Sequence, residues 1–370
     1  MDFVIAGEVA PQFERVQVEF ARLFEAGAET GAALAVADRG HTVVDLRGGW
    51  RDAEHQHPWA PDTLVNTYSV GKPIAALCAL LLVDRGQLDL DAEVRRYWPH
   101  FADGGVLVRH VLAHTAGLPA FPIQRPAAAL ADWDQLTADL ASSSPLWPPG
   151  TVAAEHVVTY GHLVGELVRR VDGRSLGRFL SEEIALPWRL DLGFGLDADA
   201  QRRCADLEYG EPGWPQSVRG EPGSLRAQAF ASPAGCLDLK VINSPLWRGA
   251  EIPAVNLHAT AVALARLYQG PLAAGSLDGV QLWSPATLAE ALRVQYDGPD
   301  VLLGRTVRWT LGMQLDDDGS WGMGGVGGSI GYADPARGYA FAYVTRRLAN
   351  FDRVDALADT VNQIFDESRR

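Results

Sequence analysis

The chain has 370 residues, 47% of them hydrophobic, and a formal net charge of −14 at pH 7. This length and apolar share fit one large globular domain or two interleaved ones, and the negative charge argues against a nucleic-acid partner, whose phosphates it would repel. No apolar run approaches the roughly 18 residues of a membrane span, and Met1–Glu8 lacks the basic and apolar regions of a secretory signal. Cys78, Cys204 and Cys236 are odd in number and far apart. They predict neither a disulfide framework nor a zinc site, and a cytoplasmic protein without membrane contact is the expectation.

In chain order, Val9–Ala28 predicts a helix with Phe13, Val16, Phe20 and Leu23 on one stripe. Gly31–Ala37 reads as a buried strand, Asp38–Gly40 as a turn and Thr42–Leu46 as the returning strand, with Arg47–Asp52 leading toward a third. Pro73–Val83 is apolar almost all round, as a helix buried in mid-domain would be, and it stops at Asp84-Arg85-Gly86. Gly105–Gly117 predicts a helix closed by Gly and Pro, and Val157–Val171 another with Arg169 and Arg170 in its last turn. Residues 119–128 and 142–150 read as loops, and Tyr209–Arg226, without periodicity, as a long one. Trp309–Leu315 predicts one strand, Gly331–Thr345 a hairpin about Pro335–Gly338, and Arg353–Ser368 a closing amphipathic helix. Strands at both chain ends around a helical middle predict an α/β (α+β) fold. Residues 1–66 and 300–370 would form an antiparallel sheet flanked by helices, and 67–299 an inserted, mainly helical region with long loops.

The 32 basic side chains include only two lysines, Lys72 and Lys240. Where arginine serves nearly every surface cation, a retained lysine is a candidate for work arginine cannot do. Burial can lower an ammonium's pKa until the amine is a usable base, whereas a guanidinium stays charged. Ser69 lies three residues before Lys72, so at the mouth of the apolar helix the two side chains share a face. The pair predicts Ser-Lys nucleophile activation; the plain alternative is a capping serine beside a solvated lysine. Lys240, near Asp238, reads as a surface charge and His114 as a structural residue at a helix end. His156 and His162, six residues apart, do not have the spacing of a metal pair, and neither metal nor cofactor is expected. Trp133, Trp147, Trp214 and Trp247 read as core or rim residues, with the wall of an acyl pocket as the second reading.

Five segments in order carry a resemblance. They are Tyr68-Ser69-Val-Gly-Lys72, Leu81–Leu90, Val111-Leu-Ala-His114-Thr-Ala-Gly-Leu118, Leu163–Ser175 and Gly325-Val-Gly-Gly-Ser329-Ile-Gly-Tyr-Ala-Asp-Pro335. Together they resemble the serine β-lactamase and penicillin-binding-protein superfamily, nearest its class C-like hydrolases, which include family VIII carboxylesterases. The resemblance implies a β-lactamase/transpeptidase-like fold with the active site between sheet and helical region. Ser69 would be acylated with help from Lys72, and the backbone N–H groups of Ser69 and of the strand near Val326 would form an oxyanion hole. Glycines around Gly325 would let a substrate approach the backbone.

The chain departs from that pattern twice. The family's tyrosine, in Tyr-x-Asn or Tyr-His before the Leu163 helix, is replaced in Ala154-Glu155-His156-Val157 by Glu155, or by His156 after a shift of one residue. Either side chain can transfer a proton. A Glu155 beside Lys72 would raise the lysine pKa and oppose its use as a base. The family's Lys or His on the late strand is Met323 here, which offers no cation for a substrate carboxylate and argues against β-lactam or peptidoglycan substrates. The expected function is a serine hydrolase of a small ester, with Glu155 or His156 as acid/base. The alternatives are an acyltransferase that passes the same acyl group to an amine or alcohol, and a non-catalytic binding protein on this fold.

Overall fold

Two segments with period-two alternation form the centre of the molecule. In the computed structural model, which describes residues 3–102 and 105–369, strands β1 (Ile5–Val9), β2 (Gly31–Asp38) and β3 (His41–Gly49) come from the start of the chain. Strands β4 (Tyr296–Asp300), β5 (Arg305–Trp309), β6 (Gln314–Leu315), β7 (Trp321–Gly324), β8 (Ile330–Asp334) and β9 (Tyr339–Thr345) come from its end. They pair antiparallel in the order β1-β3-β2-β9-β8-β7-β6-β5-β4.

The central pair β2/β9 is buried on both faces, and each face has its own partner. Ala33, Ala35, Ala37, Ala340, Ala342 and Val344 turn toward the large core, while Leu34, Val36, Phe341 and Tyr343 turn toward the second one. Successive strand residues point to opposite faces, so this division follows from the sequence. Small residues on the first face let helix 261–272 lie close to the sheet. The second face is covered by helix α1 (Glu14–Glu25) and by the closing helix Asp352–Glu367.

Helix α2 (Gly71–Asp84) runs through the large core, with every residue from Gly71 to Leu82 buried. It packs against helix Thr159–Asp172. Pro73 is tolerated because the first turn of a helix leaves N–H groups unpaired in any case. The three cysteines are free and buried. No described helix is long and apolar enough to cross a membrane.

Several expectations are corrected. The predicted helix from Val9 is α1 preceded by the 3-10 turn Pro11–Phe13, and β1 lies ahead of both as an edge strand on β3. Arg47–Gly49 ends β3 rather than leading to a third strand; Trp50 makes only a single bridge, to Pro58. Between Gly105 and Gly117 only Val108–Leu112 is helical, because His114 adopts a left-handed backbone with φ +59°. The predicted strand Trp309–Leu315 is broken into β5 and β6 by a turn closed by the Thr310 N–H on Met313 O. Gly312 occupies that turn at φ +95°, where a Cβ would come within 2.2 Å of Ala76. The long segment from Tyr209 holds two short helices, Trp214–Arg219 and Leu225–Ala229, the second capped by Ser224. Helices of one or two turns carry too little periodicity to be read from sequence.

Candidate active site

Ser69 sits in a tight turn two residues before α2, not in the helix itself. Tyr68 enters that turn at φ +51°, and the Lys72 N–H closes it on Ser69 O at 3.0 Å. The result still brings the two side chains together. Lys72 Nζ is fully buried, 2.7 Å from Ser69 Oγ and 3.2 Å from the carbonyl oxygen of Ala254. Glu155 completes the group, with Oε1 2.9 Å from Lys72 Nζ and 3.4 Å from Ser69 Oγ. Ala254 has no sequence signal, since any residue supplies a carbonyl.

These contacts suit both charge states of the lysine. As an ammonium, Lys72 donates to Ser69 Oγ, Ala254 O and Glu155. As an amine, it keeps two N–H groups for Ala254 and Glu155 and turns its lone pair toward the Ser69 hydroxyl. Glu155 raises the Lys72 pKa, as expected, but burial acts the other way and more strongly. Burial pushes the Lys72 ammonium below its ordinary pKa, and attraction and hydrogen bonding from Glu155 only partly offset that.

His156 does not face this group. Its Nε2 accepts from the Leu118 N–H at 3.2 Å, and its Nδ1 contacts Ala154 O at 2.7 Å, so both ring nitrogens are engaged in the core. Burial lowers its pKa to about 4. Neighbours in an extended segment project to opposite sides, so 155 and 156 cannot both reach Lys72. Tyr160 is also turned away, its hydroxyl donating to Leu112 O.

Gly325 lies against the turn before Ser69. A Cβ there would come within 2.0 Å of Thr67 O and 3.2 Å of the Ser69 nitrogen, so only glycine allows this approach. Val326 follows it at the cleft wall, and among the described residues neither the Ser69 N–H nor the Val326 N–H has a protein acceptor. Met323, from β7, packs with Ala153, Val307 and Trp309 and gives the cleft an apolar side. The cleft has a volume of about 600 Å³ and includes Ser69, Glu155, Met323 and Val326 in its lining. Its cations are Arg226 and Arg305, against Glu155 and four aspartates. Trp133, Trp147, Trp214 and Trp247 do not contribute to it. Among the described residues no group of three or more His, Cys, Asp or Glu side chains is placed to hold a metal ion.

Comparison with known proteins bears on the family and the fold. The family profile described as Beta-lactamase matches residues 20–363. The esterase/beta-lactamase LipL of Mycobacterium tuberculosis is 33% identical over 373 aligned positions, covering 93% of this chain and 83% of that protein. The crystal structure of a family VIII carboxylesterase superposes with a TM-score of 0.88 at 32% identity, over 98% of this chain and 100% of the other. A penicillin-binding-protein homologue from Caulobacter crescentus gives 0.89 at 37% identity, with the same coverage.

Proposed function

The chain belongs to the β-lactamase family of serine hydrolases, and on that premise we propose that it hydrolyses small neutral esters through an acyl intermediate on Ser69. The observation that carries this reading is the fully buried Lys72 amine 2.7 Å from the Ser69 hydroxyl, with Glu155 touching both. A buried lysine with a lowered pKa is a base, and a hydroxyl within hydrogen-bond reach is the proton it takes.

In acylation, Ser69 Oγ attacks the ester carbonyl and its proton passes to Lys72. The carbonyl electron pair moves onto oxygen, and the Ser69 and Val326 N–H groups receive the oxyanion. The new ammonium is balanced by the Glu155 carboxylate. When the intermediate collapses, the alcohol leaves with the Lys72 proton, relayed through Glu155. In deacylation a water adds to the acyl carbonyl and gives its proton to Glu155. The acid departs, and Ser69 Oγ recovers a proton from Glu155. Glu155 thereby occupies the chemical place of the family's tyrosine.

The neutral substrate class rests on Met323 and on the excess of carboxylates along the cleft. An anionic substrate would meet an apolar wall where a cation would be needed. LipL, named as both an esterase and a beta-lactamase, supports ester hydrolysis. The test is steady-state hydrolysis of uncharged short-chain aryl esters by the wild type and by Ser69→Ala. Turnover that survives in Ser69→Ala contradicts the proposal.

A further inference from the structure

The residues on either side of Glu155, Ala154 and His156, both donate their backbone N–H to one residue. The Ala154 N–H donates to His114 O at 3.1 Å, and the His156 N–H donates to His114 Nδ1 at 3.1 Å. The His114 ring is fully buried, stacked on Tyr160 at 4.5 Å and against Trp309 at 4.3 Å. Trp309 in turn packs on Met323. His114 therefore connects the Glu155 segment to the wall of the cleft.

Two costs attach to this residue. Its backbone sits at φ +59°, a region that favours glycine. Its Nδ1 is an acceptor, so the ring proton is on Nε2, and Nε2 has no hydrogen-bond partner among the described residues. If His114 only ended helix Val108–Leu112, a glycine would serve the turn with neither cost. What a glycine would lose is the Nδ1 contact to His156 and the packing of the ring on Tyr160 and Trp309.

We propose that His114 is a positioning residue that fixes the Glu155 backbone on both sides and so holds the carboxylate against Lys72 and Ser69. The inference rests on Glu155 acting as the proton carrier of the Ser69 reaction. The two variants that separate positioning from plain structure are His114→Gly and His114→Asn. Glycine relieves the backbone and removes the acceptor. Asparagine tolerates the left-handed backbone and places an amide oxygen near the Nδ1 position.

The experiment measures single-turnover acylation by an uncharged aryl ester, KM and the pH profile, with melting temperature as a folding control. His114→Gly is expected to stay folded and to acylate roughly 10- to 100-fold more slowly with little change in KM, the size of effect that an ångström of misplacement produces. Its pH–rate limb should also move to lower pH, because a retracted Glu155 no longer raises the Lys72 pKa. The other charged or titratable groups facing Lys72 there are His114 itself and His156. His114→Asn should recover most of the rate. Wild-type acylation and an unmoved limb in a folded His114→Gly overturn the inference, as does His114→Asn performing no better than His114→Gly. Should His114→Gly not fold, His114→Ala replaces it in the same comparison with His114→Asn, and equal rates overturn the inference. A wild type that forms no acyl adduct refutes the Ser69 reading and this inference with it. A wild type that acylates beside an equally fast His114→Gly refutes this inference alone.

Discussion

Replacing Glu155 by glutamine keeps the shape of the side chain and one oxygen for Lys72 but removes the charge. In the reactive form, with Lys72 as the amine, little is lost. The deficit appears when the amine takes the Ser69 proton and becomes an ammonium inside the protein. At the 2.9 Å separation, with an effective dielectric constant of about 20, the missing attraction is about 6 kcal/mol. Part of it is retained as a neutral hydrogen bond, so the expected loss is about 3–5 kcal/mol, the range found when one partner of a buried pair is removed. That corresponds to a fall of roughly 10²- to 10⁴-fold in kcat/KM. The pH dependence adds a sign. Activity needs neutral Lys72, so it rises as pH rises through the lysine pKa. Glu155 raises that pKa, and its removal therefore moves the rising limb to lower pH. The assay is kcat/KM for an uncharged aryl ester across pH for wild type and Glu155→Gln. A variant within tenfold of the wild type, or a limb that moves to higher pH, would refute the reasoning.

Gly325→Ala should abolish acylation or slow it by roughly 10²- to 10³-fold, the cost of displacing an oxyanion donor, because its Cβ would collide with Thr67 O; wild-type rates in that variant would remove Gly325 from the account. Uncharged aryl esters should be preferred over carboxylate-bearing β-lactams by roughly 10- to 100-fold or more in kcat/KM, the worth of one missing charged hydrogen bond; comparable rates would contradict the role given to Met323. The fold should also lose stability in acid. His114, His156, His162 and His258 are fully or almost fully buried, with pKa values lowered to about 4 for His156 and His162, about 3 for His258, and well below normal for His114. The unfolded chain binds protons at these sites below about pH 6.5 while the native one does not, so each costs about 1.4 kcal/mol per pH unit as pH falls from there toward the folded pKa. Melting temperature should drop steeply between pH 6.5 and pH 4.5, and a flat profile would contradict the burial of these rings.

The central strands could be read from the sequence because both faces of Gly31–Ala37 and Tyr339–Thr345 are buried and alternate in size, which leaves an unambiguous period-two pattern. The buried helix was equally visible, since Pro73–Leu82 has no polar face. The edge strand Ile5–Val9 was not, because five partly exposed residues carry no pattern until β3 is beside them. The break in Trp309–Leu315 depends on Gly312 meeting Ala76, a contact between residues more than two hundred positions apart. At the site, the scarcity of lysine singled out Lys72, and its proximity to Ser69 follows from their spacing. The choice between Glu155 and His156 does not, because it depends on how the His114 ring and the Leu118 N–H hold His156 in the core. The direction of the Lys72 pKa shift was likewise out of reach. It is the balance of burial against Glu155, and burial is a property of the assembled core.

The most direct test of the account is intact-protein mass spectrometry after brief exposure to an uncharged short-chain aryl ester, with Ser69→Ala and Lys72→Ala in parallel. The account expects a transient mass increase of one acyl group on the wild type, none on Ser69→Ala, and strongly slowed formation on Lys72→Ala. Turnover of the ester with no adduct at any time, or an adduct that persists in Ser69→Ala, would contradict Ser69 as the nucleophile.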